Sequence, residues 1–439
     1  CRNIVSWTAL IKGYIQHAYC EEALACFEKI QREGLTPDAI AFTSSLKACA
    51  HIEALDKGMG IHAEILRRGL DESNLISCAL VDMYAKCGAL RKAQEVFDRL
   101  LLRDVALWNA LIAGYVDHEC AEQALRCFEQ MQDENIPPDA VTFITILKVC
   151  AYMADLEQGE KIHDEISRRG LDKDMVVGSA LIDMYAECGS LTKAREVFDS
   201  LSAHDMVSWT VLIAGYAEHG HGEEALQCFQ EMKDEGLSPS AVTIACTLKA
   251  CASIGSLDKG ERIHNEVVTN LEKELLISNA LIDMYAKCGL CARAQEVFNK
   301  LEIRDVVSWN TLMSGYAQLG DAQKVFDVFN KMIEEQGTAM PDSVTFLNLL
   351  NVSCHDGLVK EGKRMLSNME KVYFLTPEVE HYTCMVDLFS RTGHFGEALV
   401  LIEKAMISSN HLPMWLALLS ACLKWENVEI GRWAFEKSV

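Results

Sequence analysis

The sequence predicts an all-α chain of stacked helix-turn-helix repeats, an α-solenoid. Three observations carry that expectation. The phrase NALIDMYAKCG from Asn279 has close copies beginning at Ser179 and Cys78 and a worn one at Thr383. The tryptophans of a second phrase, Trp7, Trp108, Trp209 and Trp309, lie 101, 101 and 100 residues apart. Apolar residues inside these phrases fall at helical spacing, so a regular period is laid over a helical pattern.

Within each period three phrases alternate. The first, IVSWTALIKGY from Ile4, places Trp7, Leu10, Ile11 and Tyr14 at i, i+3, i+4 and i+7, the stripe of an amphipathic helix. After a break, EEALACFEKI from Glu21 repeats the stripe with Ala23, Leu24 and Phe27, and Gly34 with Pro37 closes a second helix. The second phrase, from Ile40, has the same two-helix rhythm with a turn near Glu53 to Asp56, and recurs from Val141 and Val242. The third is the NALIDMYAKCG phrase, punctuated by Cys-Gly and followed by AQEVFDRL at Ala93 or AREVFDSL at Ala194. The units measure 35, 35 and 31 residues. One such hairpin cannot bury its apolar face alone, so each must stack on its neighbours.

Composition agrees. Half of the 439 residues are hydrophobic, 24% are charged and only seven are proline, which suits long helical content without disorder. Length would suggest roughly two to four globular domains, but one continuous period is better treated as a single elongated body. The 18 cysteines follow the repeat: Cys87, Cys188 and Cys288 share one position and Cys49, Cys150 and Cys251 another. They are expected to be small buried packing residues in a reducing compartment rather than a disulfide framework. No run of 18 apolar residues spans a membrane. The net charge of −23 argues against casual nucleic-acid binding, unless acidic residues such as Glu21, Glu22, Glu223 and Glu224 sit on an outer face. The chain opens with Cys1 in the middle of a repeat and is read as a fragment.

These phrases resemble the pentatricopeptide repeat family, specifically its plant subclass with alternating standard, long and short repeats. Standard repeats carry VSW-x-x-LI-x-GY and a closing Pro-Asp at Pro37-Asp38, Pro138-Asp139 and Pro341-Asp342; long repeats carry LKAC and IH, and short repeats LIDMYAKCG. The resemblance implies a right-handed superhelix of twelve repeats over residues 4–411 in four triplets. Residues 1–3 would be the tail of a preceding repeat, and 412–439 the start of the E-type extension that follows the last short repeat. The nearest rival is the tetratricopeptide repeat, a protein-binding scaffold. Its glycine directly follows the leucine, whereas Gly13 here precedes Tyr14, and a uniform 34-residue repeat does not give 35, 35 and 31.

Two short patterns invite a metal or an enzyme. His62-Ala-Glu64, His163-Asp-Glu165 and His264-Asn-Glu266 match the H-x-E of zinc deaminases, but the partner P-C-x-x-C is absent, so packing or surface roles are expected. Cys288 to Cys291 offers two thiolates where structural zinc needs four ligands, and Cys291 aligns with Leu90 and Leu191 as a core replacement. No cofactor and no catalytic residue are expected.

The resemblance implies instead that the fifth and last residues of standard and short repeats read one RNA base each. The standard repeats offer Thr8 with Asp38 (guanine), Asn109 with Asp139 (uracil), Thr210 with Ser240 (a purine) and Asn310 with Asp342 (uracil). Among short repeats, Ser179 with Asp205 implies guanine and Asn279 with Asp305 uracil, while Cys78 with Asp104 and Thr383 with His411 depart from the pattern. Val5, Val207 and Val307, the second residues, would pack against base faces. Long repeats carry Thr43, Ile144, Ala245 and Leu347 at the fifth position and are mostly apolar there. From the 5′ side the order implied is G-N-N-U-N-G-R-N-U-U-N-N. A competing account of the polar residues is helix capping, which explains each singly but explains their pairing less well. The expected protein is therefore the single-stranded RNA recognition portion of a C-to-U editing or processing factor in a mitochondrion or chloroplast. Editing-complex proteins or a deaminase supplied in trans are its implied partners.

Overall fold

The computed structural model describes residues 3–71, 73–100, 102–267, 274–335, 339–405 and 412–438, which form two compact units, 1–215 and 216–439. Among the described residues every regular element is a helix. The first unit holds α1 (Ile4–Gln16), α2 (Cys20–Arg32), α3 (Ala39–His51), α4 (Leu55–Arg67), α5 (Asn74–Lys86), α6 (Leu90–Asp98), α7 (Val105–Asp117), α8 (Ala121–Asp133), α9 (Ala140–Met153), α10 (Leu156–Arg168), α11 (Met175–Glu187) and α12 (Leu191–Ser200), and the boundary falls within α13 (Met206–Glu218). The second holds α14 (Gly222–Asp234), α15 (Ala241–Ser253), α16 (Leu257–Val267), α17 (Leu275–Lys287), α18 (Cys291–Lys300), α19 (Val306–Gln318), α20 (Ala322–Glu334), α21 (Ser343–His355), α22 (Val359–Lys371), α23 (Val379–Arg391), α24 (Phe395–Ala405), α25 (Leu412–Lys424) and α26 (Val428–Ser438).

The helices form hairpins, and their two members pack differently. In the first unit the leading helices α1, α3, α5, α7, α9 and α11 each touch the next. In the second unit α15, α17, α19, α21, α23 and α25 do the same. Second helices pack on their own partner and the next leading helix, as α2 on α3 and α18 on α19, whereas among the described residues neighbouring second helices meet through side-chain ion pairs, as Lys233 of α14 with Glu266 of α16 at 2.9 Å, without close backbone packing. Each unit is thus one tight layer of leading helices with a looser second row behind it.

The tryptophans hold the layers together. Trp7, Trp108, Trp209 and Trp309 are 5%, 0%, 2% and 2% exposed. Trp108 meets Phe97 edge-on at 4.5 Å and Trp309 meets Phe298 at 4.7 Å, so they join α6 to α7 and α18 to α19, each a second helix to the following leading helix. Arg103 and Arg304 cover those phenylalanines as cation–π partners at 4.6 and 5.0 Å. Full burial of one such aromatic side chain is worth about 3 kcal/mol.

Leu10 corrects the predicted stripe. It is 43% exposed, whereas Leu111, Leu212 and Leu312 at the same repeat position are buried. No hairpin packs against that side of α1 among the described residues, so the periodic residue has nothing to be buried under. The Cys-Gly punctuation ends α5, α11 and α17 by a hydrogen-bonded reversal. Gly88, at φ 72°, donates to Ala85 O at 2.9 Å, and Ala89 donates to Tyr84 O at 2.8 Å. Cys87, Cys188 and Cys288 are the C-caps of α5, α11 and α17 and are only half-buried, unlike Cys49, Cys150 and Cys251, which are fully buried.

Candidate functional site

The residues that close the standard repeats are N-caps. Asp38, Asp139 and Asp342 precede α3, α9 and α21, and each accepts a hydrogen bond from the backbone N–H three residues on. Asp305 does the same for α19 and Asp104 for α7. A cap of this kind contributes about 1 kcal/mol, so the capping account is sound.

Capping is half of what these carboxylates do. Asn109 Nδ2 donates to Asp139 Oδ1 at 3.0 Å, and Asn310 Nδ2 donates to Asp342 Oδ1 at 2.9 Å. Asn279 reaches Asp305 at 3.5 Å and Thr8 Oγ1 reaches Asp38 at 3.4 Å, both looser. In every case Oδ1 takes both the cap and the pair. Burial raises the Asp139 pKa, but the hydrogen bonds from Thr142, Asn109 and Val141 outweigh it and hold the carboxyl below its usual value. Asp139 therefore stays ionised.

One predicted pair is not closed in this way. Ser179 Oγ donates to Met175 O at 2.9 Å in its own helix, and among the described residues no hydrogen bond joins it to Asp205, which caps α13 through Ser208 at 2.8 Å. Thr210 donates to Met206 O at 2.6 Å, and Ser240 pairs with Thr243 at 2.8 Å as the cap of α15; these two residues belong to different units. Cys78 approaches Asp104 only at 4.0 Å, and His411 lies outside the described residues. Thr8, Ser179 and Asn310 are buried, so the polar tips are recessed.

One turn before most of the polar tips stands an exposed aliphatic residue. Val5, Val207 and Val307 are 66%, 52% and 51% exposed, on the helical face that also carries the tip. Ile40, Leu75, Val141, Val176, Val242, Leu276 and Val344 occupy the same position and are also exposed. Sequence reasoning named only the first three, although the common period marked all of them. An aliphatic rung left in water at nearly every hairpin is a row of surfaces on which something flat can lie.

Charge is distributed unevenly between the layers. The leading helices α1, α3, α9 and α15 each carry a single lysine and no acidic residue, and α19 and α21 carry no lysine, arginine, aspartate or glutamate. Glu21 and Glu22 open α2, and Glu223 and Glu224 open α14, all exposed in the second row.

The H-x-E histidines are occupied elsewhere. Nδ1 of His62, His163 and His264 lies 2.7, 2.8 and 2.7 Å from the hydroxyls of Tyr84, Tyr185 and Tyr285. Glu64 pairs with Arg67 and Arg68, Glu165 with Arg168 and Arg169, and Glu266 with Lys233. Cys291 is buried at the start of α18, and burial raises the pKa of both Cys288 and Cys291. No cluster of three or more metal-ligating side chains occurs among the described residues.

The PPR repeat family model matches residues 2–51, 103–152 and 204–253, and the PPR repeat model matches 77–105, 179–205, 277–306, 307–336, 344–373 and 380–406. A mitochondrial pentatricopeptide repeat-containing protein of Arabidopsis thaliana is 33% identical over 439 residues, 99% of this chain and 63% of that protein. A chloroplastic one from the same plant is 34% identical over 437 residues, 99% of this chain and 54% of that protein. This chain thus spans about half to two thirds of the length of these relatives. The maize pentatricopeptide repeat protein PPR10, solved in complex with an 18-nt psaJ RNA element, is 18% identical with a TM-score of 0.42, covering 100% of this chain and 84% of that one. Between them the repeat models take in all four tryptophan phrases and the short repeats that follow them, so the chain belongs to the pentatricopeptide repeat family.

Proposed function

We propose that this chain binds single-stranded RNA, one base to each standard or short repeat, as the recognition portion of an organellar C-to-U editing or RNA-processing factor. The observation that carries the reading is the Asn–Asp pair beside an exposed aliphatic residue, as in Asn310, Asp342 and Val307. Each asparagine gives one amide proton to Oδ1 and retains a second donor, while the aspartate retains Oδ2 as an acceptor. Uracil alternates acceptor, donor and acceptor along its pairing edge, which suits that couple. Cytosine would set its N3 lone pair against the carboxylate. A base lying on the aliphatic rungs can put its edge into the recess where the polar tips lie.

Residues 4–411 are read as twelve repeats, 1–3 as the tail of a preceding one and 412–439 as the start of an E-type extension. The chain is read as non-catalytic, with any deaminase carried beyond residue 439 or on a partner protein. The names of the two relatives support an organelle, mitochondrion or chloroplast. A protein-binding scaffold is the second reading, favoured by the net charge of −23.

The test is a change of preferred base. Asn310→Thr recreates the Thr–Asp couple of Thr8 and Asp38, and should move preference at the tenth base of G-N-N-U-N-G-R-N-U-U-N-N from U towards G by roughly 1 kcal/mol. Binding of both proteins to RNAs differing at that base, at fixed salt, decides it. Equal affinities throughout would sink base reading at this repeat and favour the scaffold.

A further inference from the structure

A third residue completes two of the Asn–Asp pairs. Thr142 Oγ1 lies 2.7 Å from Asn109 Oδ1, 3.2 Å from Asp139 N and 2.9 Å from Asp139 Oδ1. Thr345 repeats the arrangement on Asn310 and Asp342 at 2.7, 3.1 and 2.9 Å. The asparagine turns its NH2 to the carboxylate, so its carbonyl faces the hydroxyl. Two oxygens 2.7 Å apart must share a proton, and the hydroxyl is the only one that carries it; the aspartate Oδ1, farther off at 2.9 Å, already accepts two N–H donors. The ring is then closed: aspartate N–H to threonine oxygen, threonine O–H to asparagine carbonyl, asparagine N–H to aspartate carboxylate.

The third Asn–Asp pair lacks this closure. Ser308, at the matching position after Asp305, gives its hydroxyl proton to Asp305 Oδ1 at 2.7 Å. Asn279 Oδ1 is then buried without a partner, and its NH2 stands off at 3.5 Å. The same two residues are fixed or loose according to what the third one does.

We infer that Thr142 and Thr345, in repeats whose own fifth residues Ile144 and Leu347 carry no hydrogen-bonding side chain, are positioning residues that set the choice between uracil and cytosine made by Asn109 and Asn310. The inference rests on the RNA-binding reading above. With the hydroxyl in place the carboxamide presents a donor to the base. Without it, the orphaned buried carbonyl is free to turn towards a base donor such as the cytosine amino group, which relaxes the choice.

The full chain and its Thr345→Val and Thr345→Ser variants are titrated with two RNAs of the order given above, carrying U or C at the tenth base, at one salt concentration. The unaltered chain should prefer U by about tenfold. Thr345→Val should reduce that ratio to about twofold, and Thr345→Ser, which restores the proton, should return it to within about twofold of the original. A ratio unchanged in Thr345→Val overturns the positioning role while leaving base reading intact. A ratio of one in the unaltered chain overturns base reading at this repeat and the positioning role with it. Should Thr345→Val fail to fold, Thr142→Val with U or C at the fourth base poses the same question. The unaltered chain supplies another check, since its U-to-C ratio at the tenth base should exceed that at the ninth, read by Asn279. The reverse order overturns the role.

Discussion

Nδ1 of His163 and the hydroxyl of Tyr185 lie 2.8 Å apart, and this bond ties α10, the second helix of one hairpin, to α11, the leading helix of the next. The rings meet edge-on at 5.6 Å. Burial lowers the histidine pKa and pushes the tyrosine up to about 12, so both stay neutral at physiological pH and the phenol donates to the imidazole. The same bond recurs between His62 and Tyr84 and between His264 and Tyr285.

Removing the donor should loosen that junction. Tyr185→Phe keeps the ring but leaves Nδ1 without its proton donor, at a cost of about 1–2 kcal/mol. Denaturant unfolding of the altered and original chains measures it, and no loss would mean that ring packing alone joins the helices.

The same histidines should make stability depend on pH. Burial is the first cause of the lowered pKa of both His62 and His163, so the unfolded chain binds protons more readily than the folded one. Their contribution is fully present above the unfolded value, about 6.5, and is lost as pH falls through that value towards the folded one. The unfolding midpoint should therefore drop between neutral pH and about pH 5. His163→Gln should flatten the curve, and an equally steep one would assign the dependence to other groups.

Much of the fold was legible because the period forces equivalent residues into equivalent places, and the tryptophans are the clearest case. What stayed hidden was partnership. His163 and Tyr185 each stood out as periodic marks, but nothing in their spacing said that two helices would turn them towards one another. Capping and pairing looked like rival accounts of Asp139, and only geometry shows one oxygen serving both. Leu10 misled because periodicity reports what a residue would bury, not whether a neighbour is present to bury it. Ser179 and Asp205 fit the same sequence pattern as the closed pairs, yet the short serine side chain is satisfied by its own helix.

The buried thiols should be slow to react. Burial pushes Cys49, Cys150 and Cys251 up to about 12, so almost no thiolate exists at pH 8. Alkylation of these three in the native chain should be at least about 100-fold slower than in denaturant, by peptide mass spectrometry. Rapid native labelling would show that the tight layer opens readily.

Close approach of leading helices should make one glycine intolerant. A methyl group at Gly315 would sit 2.6 Å from Ala286 Cβ on the preceding leading helix. Gly315→Ala should cost about 1–3 kcal/mol by overpacking. Adding Ala286→Gly should recover part of it, and simple additivity of the two losses would show that the helices do not press on each other there.

On the proposed reading, the exposed rungs should matter to RNA and not to folding. Val307→Ala removes little buried surface, so its unfolding midpoint should stay within about 0.5 kcal/mol of the original. Affinity for the RNA should fall about threefold, from the apolar area lost against a base. A loss of stability with unchanged binding would place Val307 in the core instead.

The bonds that join one repeat to the next reach only as far as the adjacent hairpin, and His62 and Tyr84 are as far apart in sequence as His163 and Tyr185. Excising residues 63–163 would bring His62 to the same distance from Tyr185 and leave that histidine with a tyrosine partner. Unequal recombination between such copies can therefore lengthen or shorten the array by a whole triplet without creating a foreign interface. The array can evolve in length independently of the individual side chains that its repeats present.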